Sequence, residues 1–218
     1  MLKSRKHVFW EALFVTLVIF VLGLLIGVSY EKNQLDTIED YYSQSEVSLL
    51  DLIALQDFLD VENISCQSLI SENIVFADKI YEEAKLLENY ESANQLTESL
   101  KISHKKYDLL RTFVWLNLIK LEEKCPNDVN TIIYLYEYDT EDLEQKAKQT
   151  VWSNVLYDLK LERADNVILL PIAVDMNLSS VDILLSEFEL SAFPVIIINN
   201  EKILSEVSSV EEIDKYLN

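Results

Sequence analysis

A run of apolar residues near the N-terminus most constrains how this chain can fold. From Val8 to Val28 the only polar side chains are those of Glu11 and Thr16. A helix over this run is about 30 Å long, which is the thickness of the hydrocarbon core of a bilayer. We therefore predict that residues 8–29 form a transmembrane anchor in contact with the lipid bilayer, and that residues 1–7 form a short cytoplasmic tail.

Charges on the two sides of the run predict its orientation. Lys3, Arg5 and Lys6 precede it, whereas acidic residues dominate the stretch that follows. The positive-inside tendency then predicts a single-pass protein of the cell membrane, with its N-terminus in the cytoplasm and its C-terminal domain outside. A cleaved signal peptide is the alternative. Its apolar core would be shorter, about 7–15 residues, and Ile26 to Tyr30 make a poor cleavage site.

Composition excludes several kinds of site. The 38 acidic and 18 basic residues give a formal charge of −20, which repels phosphate backbones, so we expect no nucleic-acid partner. The only glycines, Gly23 and Gly27, lie in the apolar run, which excludes glycine-rich phosphate loops. His7 and His104 allow no catalytic triad or dyad to be argued, and His104 is interpreted as a solvated helix residue. We predict no catalytic residue, no metal ligand and no cofactor.

Residues 33–124 have the pattern of helices packed against one another. The segment contains neither glycine nor proline, and its apolar residues recur at helical spacing. Breaks are predicted near residues 61–63 and 89–94, where Ser92 begins a capping-box sequence. Because the repeat is not a strict heptad, a short antiparallel hairpin or bundle is favoured over a long coiled coil. A partner-binding face is the alternative use of these apolar stripes.

Two isolated cysteines bracket the second and third predicted helices. A hairpin turn between Cys66 and Cys125 would bring both to its open end. Outside the membrane such a pair can oxidise, and we predict a Cys66–Cys125 disulfide. A redox-active pair or metal ligation is a weaker interpretation, because no Cys-x-x-Cys or neighbouring histidine accompanies them. Asn63 and Asn177 stand in glycosylation triplets, whose use depends on the host.

The remaining segment alternates between strand and helix patterns in the order β-α-β-α-β-β-α. β-branched and aromatic runs indicate the strands, and apolar residues at helical spacing indicate the helices. A proline at the start of the third strand is compatible with pairing there, and an Asn-Asn turn suits a hairpin. The predicted elements are strands over 131–138 and 167–174, a helix over 141–161, a helix capped by Ser180 and ending near 189, a hairpin opened by Pro194 and turned at Asn199-Asn200, and a helix over 209–217.

This segment, residues 130–218, resembles the thioredoxin-like superfamily. The resemblance is carried by the first strand, by Val174-Asp175, and by the sequence from Phe188 to Ile198, which is similar to the segment around the family's cis-proline. It implies a cis Phe193–Pro194 bond and a second strand at the sheet edge, where Pro171 is acceptable. The fold class is then α+α/β: a transmembrane helix, a helical hairpin or bundle, and a thioredoxin-like domain.

The family's thiol exchange requires Cys-x-x-Cys at the start of the helix after the first strand, where the helix dipole lowers the thiol pKa. Asp139-Thr140-Glu141-Asp142 hold that place in this chain. Carboxylates can cap a helix but cannot exchange disulfides, so the domain is predicted to be redox-inactive. The whole chain is also similar to small membrane-anchored archaeal proteins, some of which keep Cys-x-x-Cys where this chain has Asp139 and Asp142.

Three functions remain open on these grounds. The favoured one is an extracytoplasmic, chaperone-like scaffold that binds a protein or peptide partner beside the proline. A structural or assembly protein acting through the helical region is the first alternative, and a thiol-disulfide oxidoreductase is the second. The residues predicted to form the peptide-binding groove are Asp139, Thr140, Glu141, Asp142, Phe193 and Pro194.

Overall fold

The structure is a computed structural model that describes residues 5–57, 65–93, 98–125, 129–163, 166–206 and 209–217. The chain divides into two compact units, residues 1–40 and 41–218. Helix α1 runs Arg5–Asp57. It includes both the predicted anchor and the first predicted helix of the middle segment.

The first unit contains the apolar helix. Its stretch His7–Tyr30 is long and apolar enough to cross a membrane, and every side chain in that stretch is exposed. Thr16 donates its hydroxyl proton to the carbonyl oxygen of Ala12 over 2.9 Å, which satisfies within the helix the only hydroxyl group between Val8 and Val28. An N-terminal apolar helix suited to a single-pass anchor is thus present, and its orientation stays a prediction.

The second unit begins with packed helices. Helix α2 spans Cys66–Ala93 and helix α3 spans Glu98–Lys124. Their facing residues form a buried apolar seam. The members of that seam include Phe76, Ile80, Ala84 and Leu87 of α2 and Tyr107, Leu110, Val114 and Leu121 of α3.

Two helix breaks were predicted within the helical segment. The predicted break near residues 61–63 lies outside the described residues. The capping-box prediction at Ser92 is wrong in its placement, because α2 continues through Ala93 and the next described helix begins at Glu98. A capping residue must leave the helical conformation, whereas Ser92 keeps it.

A small mixed sheet follows the helices. Its strands lie in the order β2-β1-β3-β4; β1 and β2 are parallel, and the other two pairs are antiparallel. The predicted order of elements is confirmed. The bounds are β1 Asn130–Tyr136, α4 Leu143–Arg163, β2 Val167–Ala173, α5 Ser179–Glu187, β3 Val195–Ile198, β4 Lys202–Leu204 and α6 Val210–Asp214.

Helices cover both faces of this sheet. On one face, the alternate side chains of β1, β2 and β3 pack against α4 and α6 around Trp152 and Ile213. On the other face, Thr131 and Ile168 border a small cavity together with Leu118 of α3. The sheet is therefore sandwiched, and α3 connects the helical segment to its second face.

The outer edge of β2 is covered as well. Lys160 of α4 donates to the carbonyl oxygen of Val167 over 2.7 Å and pairs with Asp78 of α2 at 2.8 Å, so α2 and α4 meet at this edge. Pro171 lies in β2, and at an edge its missing N–H removes no ladder bond. The predicted edge position of this strand is confirmed.

Two local predictions at turns differ in outcome. Asn199 and Asn200 have left-handed φ angles of 50° and 55°, and Ile198 pairs with Lys202 across a loop of three residues that also includes Glu201. The predicted hairpin is therefore confirmed, with a turn one residue longer than expected. The prediction that Ser180 caps α5 is wrong. The helix begins one residue earlier, and extended Leu178 takes the N-cap position without a side-chain hydrogen bond.

Candidate functional site

The sheet register brings the two predicted halves of the groove to one end of the sheet. Val195 at the start of β3 pairs with Leu135, one residue before the end of β1. Because the strands are antiparallel, Phe193 and Pro194 enter the sheet where β1 leaves it. The segment 137–142 begins at that same end. The predicted residues therefore come from two loops that share one end of the sheet.

The loop after β1 is fixed by a carboxylate from the loop after β2. The two carboxylate oxygens of Asp175 accept the main-chain N–H groups of Tyr138 and Asp139, each over 2.8 Å. Asp139 itself is exposed and pairs with Lys101 of α3 at 3.3 Å. The carboxylate of Asp175 thus satisfies two consecutive donors and sets the direction of the loop.

Asp142 begins helix α4 by capping it. Its carboxylate accepts the N–H of Glu144 over 2.8 Å and that of Gln145 over 3.4 Å. Thr140 is buried and accepts the N–H of Asp142 through its hydroxyl oxygen over 3.3 Å, while Glu141 is exposed. The acidic segment therefore serves as a helix cap, as the sequence predicted, because it accepts N–H groups that the first turn leaves unpaired.

The segment before β3 presents main-chain groups at the same end. The Phe193–Pro194 bond is cis, as the resemblance implied. Pro194 is buried, Phe193 is half-buried and Ala192 is exposed. Among the described residues, the main-chain groups of Ala192 and Phe193 take part in no hydrogen bond. The main-chain N–H and C=O groups of these two residues, which lie beside the sheet, are therefore available to pair with a ligand.

A buried polar cluster on α3 lies behind this end of the sheet, and the sequence interpretation of its histidine is wrong. His104 was expected in solvent but is only 4% exposed. Its Nε2 atom lies 2.8 Å from the Tyr136 hydroxyl oxygen and 3.5 Å from Oδ2 of Asp108. Its ring centroid lies 4.3 Å from that of Tyr138. The His104 side chain thus links helix α3 to the end of strand β1.

The carboxylate of Asp108 is the charge centre of this cluster. Asp108 is fully buried, and its Oδ1 accepts from Nη1 of Arg111 over 3.2 Å. Burial raises the pKa of Asp108, against the opposing effects of His104, Arg111 and the main-chain amide of Ala173. The i, i+4, i+7 spacing of these three polar residues could have revealed the cluster, because that spacing places them on the same helix stripe as the apolar core.

The cysteines lie at the other end of the sheet. They form the predicted disulfide, with an S–S distance of 1.99 Å and a Cα–Cα distance of 5.5 Å. Cys125 follows α3 directly, and near that helix end Glu122 accepts from the Asn200 side chain over 3.0 Å. Asn200 lies in the turn after β3, whereas Pro194 precedes β3. The disulfide is therefore remote from the proline.

Comparison with protein-family models, with curated proteins and with solved structures finds no match to this chain.

Proposed function

We propose that residues 130–218 form a redox-inactive, thioredoxin-like domain that binds an extended peptide of a client protein outside the cell membrane. The observation that carries this proposal is the unpaired main chain of Ala192 and Phe193 beside the loop 137–142. The strand order, with one parallel pair and a terminal hairpin, also supports the thioredoxin-like assignment.

An extended peptide can pair with such a segment as an added strand. Main-chain N–H and C=O groups then supply affinity, and the half-buried ring of Phe193 offers an apolar contact for an alternate side chain of the peptide. Exposed Asp139, Glu141 and Asp142 border the same end. Opposite charge steers association, so the favoured peptides carry lysine or arginine next to an apolar residue.

The position of the sulfur atoms supports binding without exchange. Cys66 and Cys125 are joined to each other, and α3 separates them from the end of the sheet that holds Pro194. A carboxylate of Asp142 occupies the helix start where the family places its reactive thiol. The apolar helix His7–Tyr30 would hold the domain at the membrane, where exported clients emerge.

A peptide-selection experiment tests this proposal. Peptides are first selected from a random library for binding to the full chain in lipid nanodiscs. The Phe193→Asp variant should bind these peptides about 10-fold or more weakly than the unaltered chain does, because the new carboxylate removes the apolar contact. The matched control is Leu161→Asp. This residue is 63% exposed and follows Lys160, which contacts the start of β2 at the opposite end of the sheet.

The control should bind the selected peptides as the unaltered chain does. Equal binding to Phe193→Asp and to the unaltered chain contradicts the proposal, as does an enriched peptide set that is acidic or has no common sequence.

An assembly role through the helical region has one specific observation in its favour. Val47 and Leu50 of α1 lie one turn apart and are 67% and 61% exposed. Two exposed apolar side chains on one helix face are suited to a partner helix. If this role holds, Val47→Glu with Leu50→Glu should shift the full chain in nanodiscs from a larger complex to a monomer by mass photometry, whereas Phe193→Asp should not.

A further inference from the structure

A partly open cavity of about 200 Å³ lies at the outer edge of β2, between α2, α3 and α4. It is separate from the peptide groove, which lies at the end of the strands. Leu169 and Pro171 of β2 supply part of its apolar wall. Its polar lining residues are Tyr81, Lys85, Arg111, Tyr134, Ser153, Asn154 and Tyr157.

Arg111 brings a buried cation to this cavity. The residue is 3% exposed, and its partner among the described residues is Asp108, which accepts from Nη1 over 3.2 Å. Among the described residues, no acceptor lies within hydrogen-bonding distance of its buried Nε. A buried donor without an acceptor is unfavourable by about 1–3 kcal/mol. Arg111 lines the cavity, so its guanidinium group, which Asp108 engages only in part, can interact with an oxygen atom there.

Lys85 adds a second cation at the same cavity. Its Nζ lies 4.4 Å from the ring centroid of Tyr157 and 3.5 Å from the phenol oxygen. These contacts hold the ammonium group over the ring, but neither neutralises its charge. None of the described residues that line the cavity carries a carboxylate. In a chain with 38 acidic residues, a lining with two cations and no carboxylate is a local exception, although Asp108, which is outside the lining, pairs with Arg111.

We propose that this cavity binds a small organic acid, whose carboxylate is held by Arg111 and Lys85. The apolar body of the acid packs against Tyr134, Leu169 and Pro171. Arginine offers a planar set of donors that matches a carboxylate, and lysine adds a point charge.

The size and the lining define the ligand further. Pockets for drug-sized ligands measure about 300–1,000 Å³, so a cavity of this volume suits a smaller molecule. The phenol rings and aliphatic side chains favour a flat or branched apolar body over a second charged group. A monocarboxylate therefore fits better than inorganic phosphate, which has no apolar part.

Titration calorimetry with benzoate on the full chain in zwitterionic nanodiscs tests this site. Benzoate should bind, and its neutral analogue benzamide should bind at least about 10-fold more weakly. Lys85→Gln should weaken benzoate about 10-fold. Lys79→Gln is the matched control: it makes the same charge change on the same helix, outside the cavity lining, where Nζ contacts the Ser48 hydroxyl at 3.2 Å, and it should leave benzoate affinity unchanged.

The Arg111 Nε–H resonance in a nitrogen–proton correlation spectrum gives a readout that does not require a variant of the buried arginine. It should shift on saturation with benzoate. An unchanged resonance, no measurable heat, or equal loss of affinity in Lys85→Gln and Lys79→Gln overturns the proposal. Tighter binding of inorganic phosphate than of benzoate also overturns it, because the apolar wall would then contribute nothing.

Discussion

The peptide groove and the cavity that we propose in the second unit offer ligands opposite kinds of groups. The groove at the end of the sheet is exposed, bordered by carboxylates, and offers main-chain groups beside Phe193. The cavity at the β2 edge is concave, partly open, and lined by the cationic residues Arg111 and Lys85. Main-chain pairing accepts many peptide sequences, whereas a charge fixed in a concave site selects the ligand's charge and size.

The groove and the cavity also differ in how their charged side chains are stabilised. Exposed carboxylates are solvated and require no charged partner to be stable, so Glu141 can border the groove beside Asp139, which pairs with Lys101, and Asp142, which caps α4. A guanidinium group that is withdrawn from water must be paired, and Asp108 supplies that pairing for Arg111. The cavity therefore depends more than the groove on correct packing of the helices, and ligand binding there should be more sensitive to changes in them.

Removing the disulfide should give the largest loss of stability, and it should weaken binding at the two sites to different degrees. Cys66→Ser with Cys125→Ser opens a loop of 59 residues, a change that lowers the free energy of unfolding by about 4 kcal/mol in the chain-entropy treatment. Because α2 and α3 line the cavity, benzoate binding should weaken more than peptide binding. Urea unfolding and the two binding assays measure this. Equal weakening of both ligands would show that the two sites depend on the helical hairpin to the same degree.

Truncating the buried arginine should give the next largest effect. Arg111→Ala leaves the Asp108 carboxylate without its guanidinium partner and should lower the free energy of unfolding by about 3 kcal/mol. A carboxyl group whose pKa is raised in the folded state stabilises the fold when protonated, and that contribution is lost as the pH rises through the raised pKa. The destabilisation should therefore be greater at pH 8 than at pH 5.

The double variant Arg111→Ala with Asp108→Asn provides the control. It removes the buried charge together with its partner, so it should be less destabilised at pH 8 than Arg111→Ala alone, and its loss of stability should vary less with pH. If the single variant is equally destabilised at both pH values, Asp108 does not carry the charge that we assign to it.

Removing the helix cap should give the smallest effect and should leave the cavity unchanged. Asp142→Ala deletes the acceptor for the N–H groups of Glu144 and Gln145, which should lower the free energy of unfolding by about 1 kcal/mol. Asp139→Ala is a control for the loss of charge, because its exposed pair with Lys101 contributes little. Chemical denaturation compares the two, and a larger loss from Asp139→Ala would contradict the capping assignment.

Local signals in the sequence were sufficient for the elements of the second unit. Strand patterns around Ile132 and Ile197, the Asn199-Asn200 turn and the proline at the head of β3 all act over a few residues. The disulfide could also be predicted, because two cysteines at the ends of a helical hairpin meet when the hairpin forms. The caps were less predictable, since Ser92 and Ser180 have capping chemistry but neighbouring residues decide where each helix begins and ends.

The sequence predicted the groove but not the cavity, because local patterns determine elements and their order but not how distant segments pack. The order of strands was enough to bring Asp139 and Pro194 to one end of a sheet. The cavity was not predicted, because it forms only where α2, α3 and α4 pack together at the β2 edge. A short sequence pattern does not predict such long-range packing. His104 was misjudged because its neighbours in sequence are polar, whereas its neighbours in space are Tyr136, Tyr138 and Asp108.

By itself the sequence determined an apolar helix of membrane-spanning length, the succession of strands and helices, and the absence of cysteine at the start of α4. Each of these depends on the identity and spacing of residues close in the chain. Only the tertiary structure decided that His104, Asp108 and Arg111 are buried and that two cations border a cavity at the sheet edge. Burial and local dielectric arise from segments distant in sequence, and they determine whether a charged side chain is solvated, paired or ready to bind a ligand.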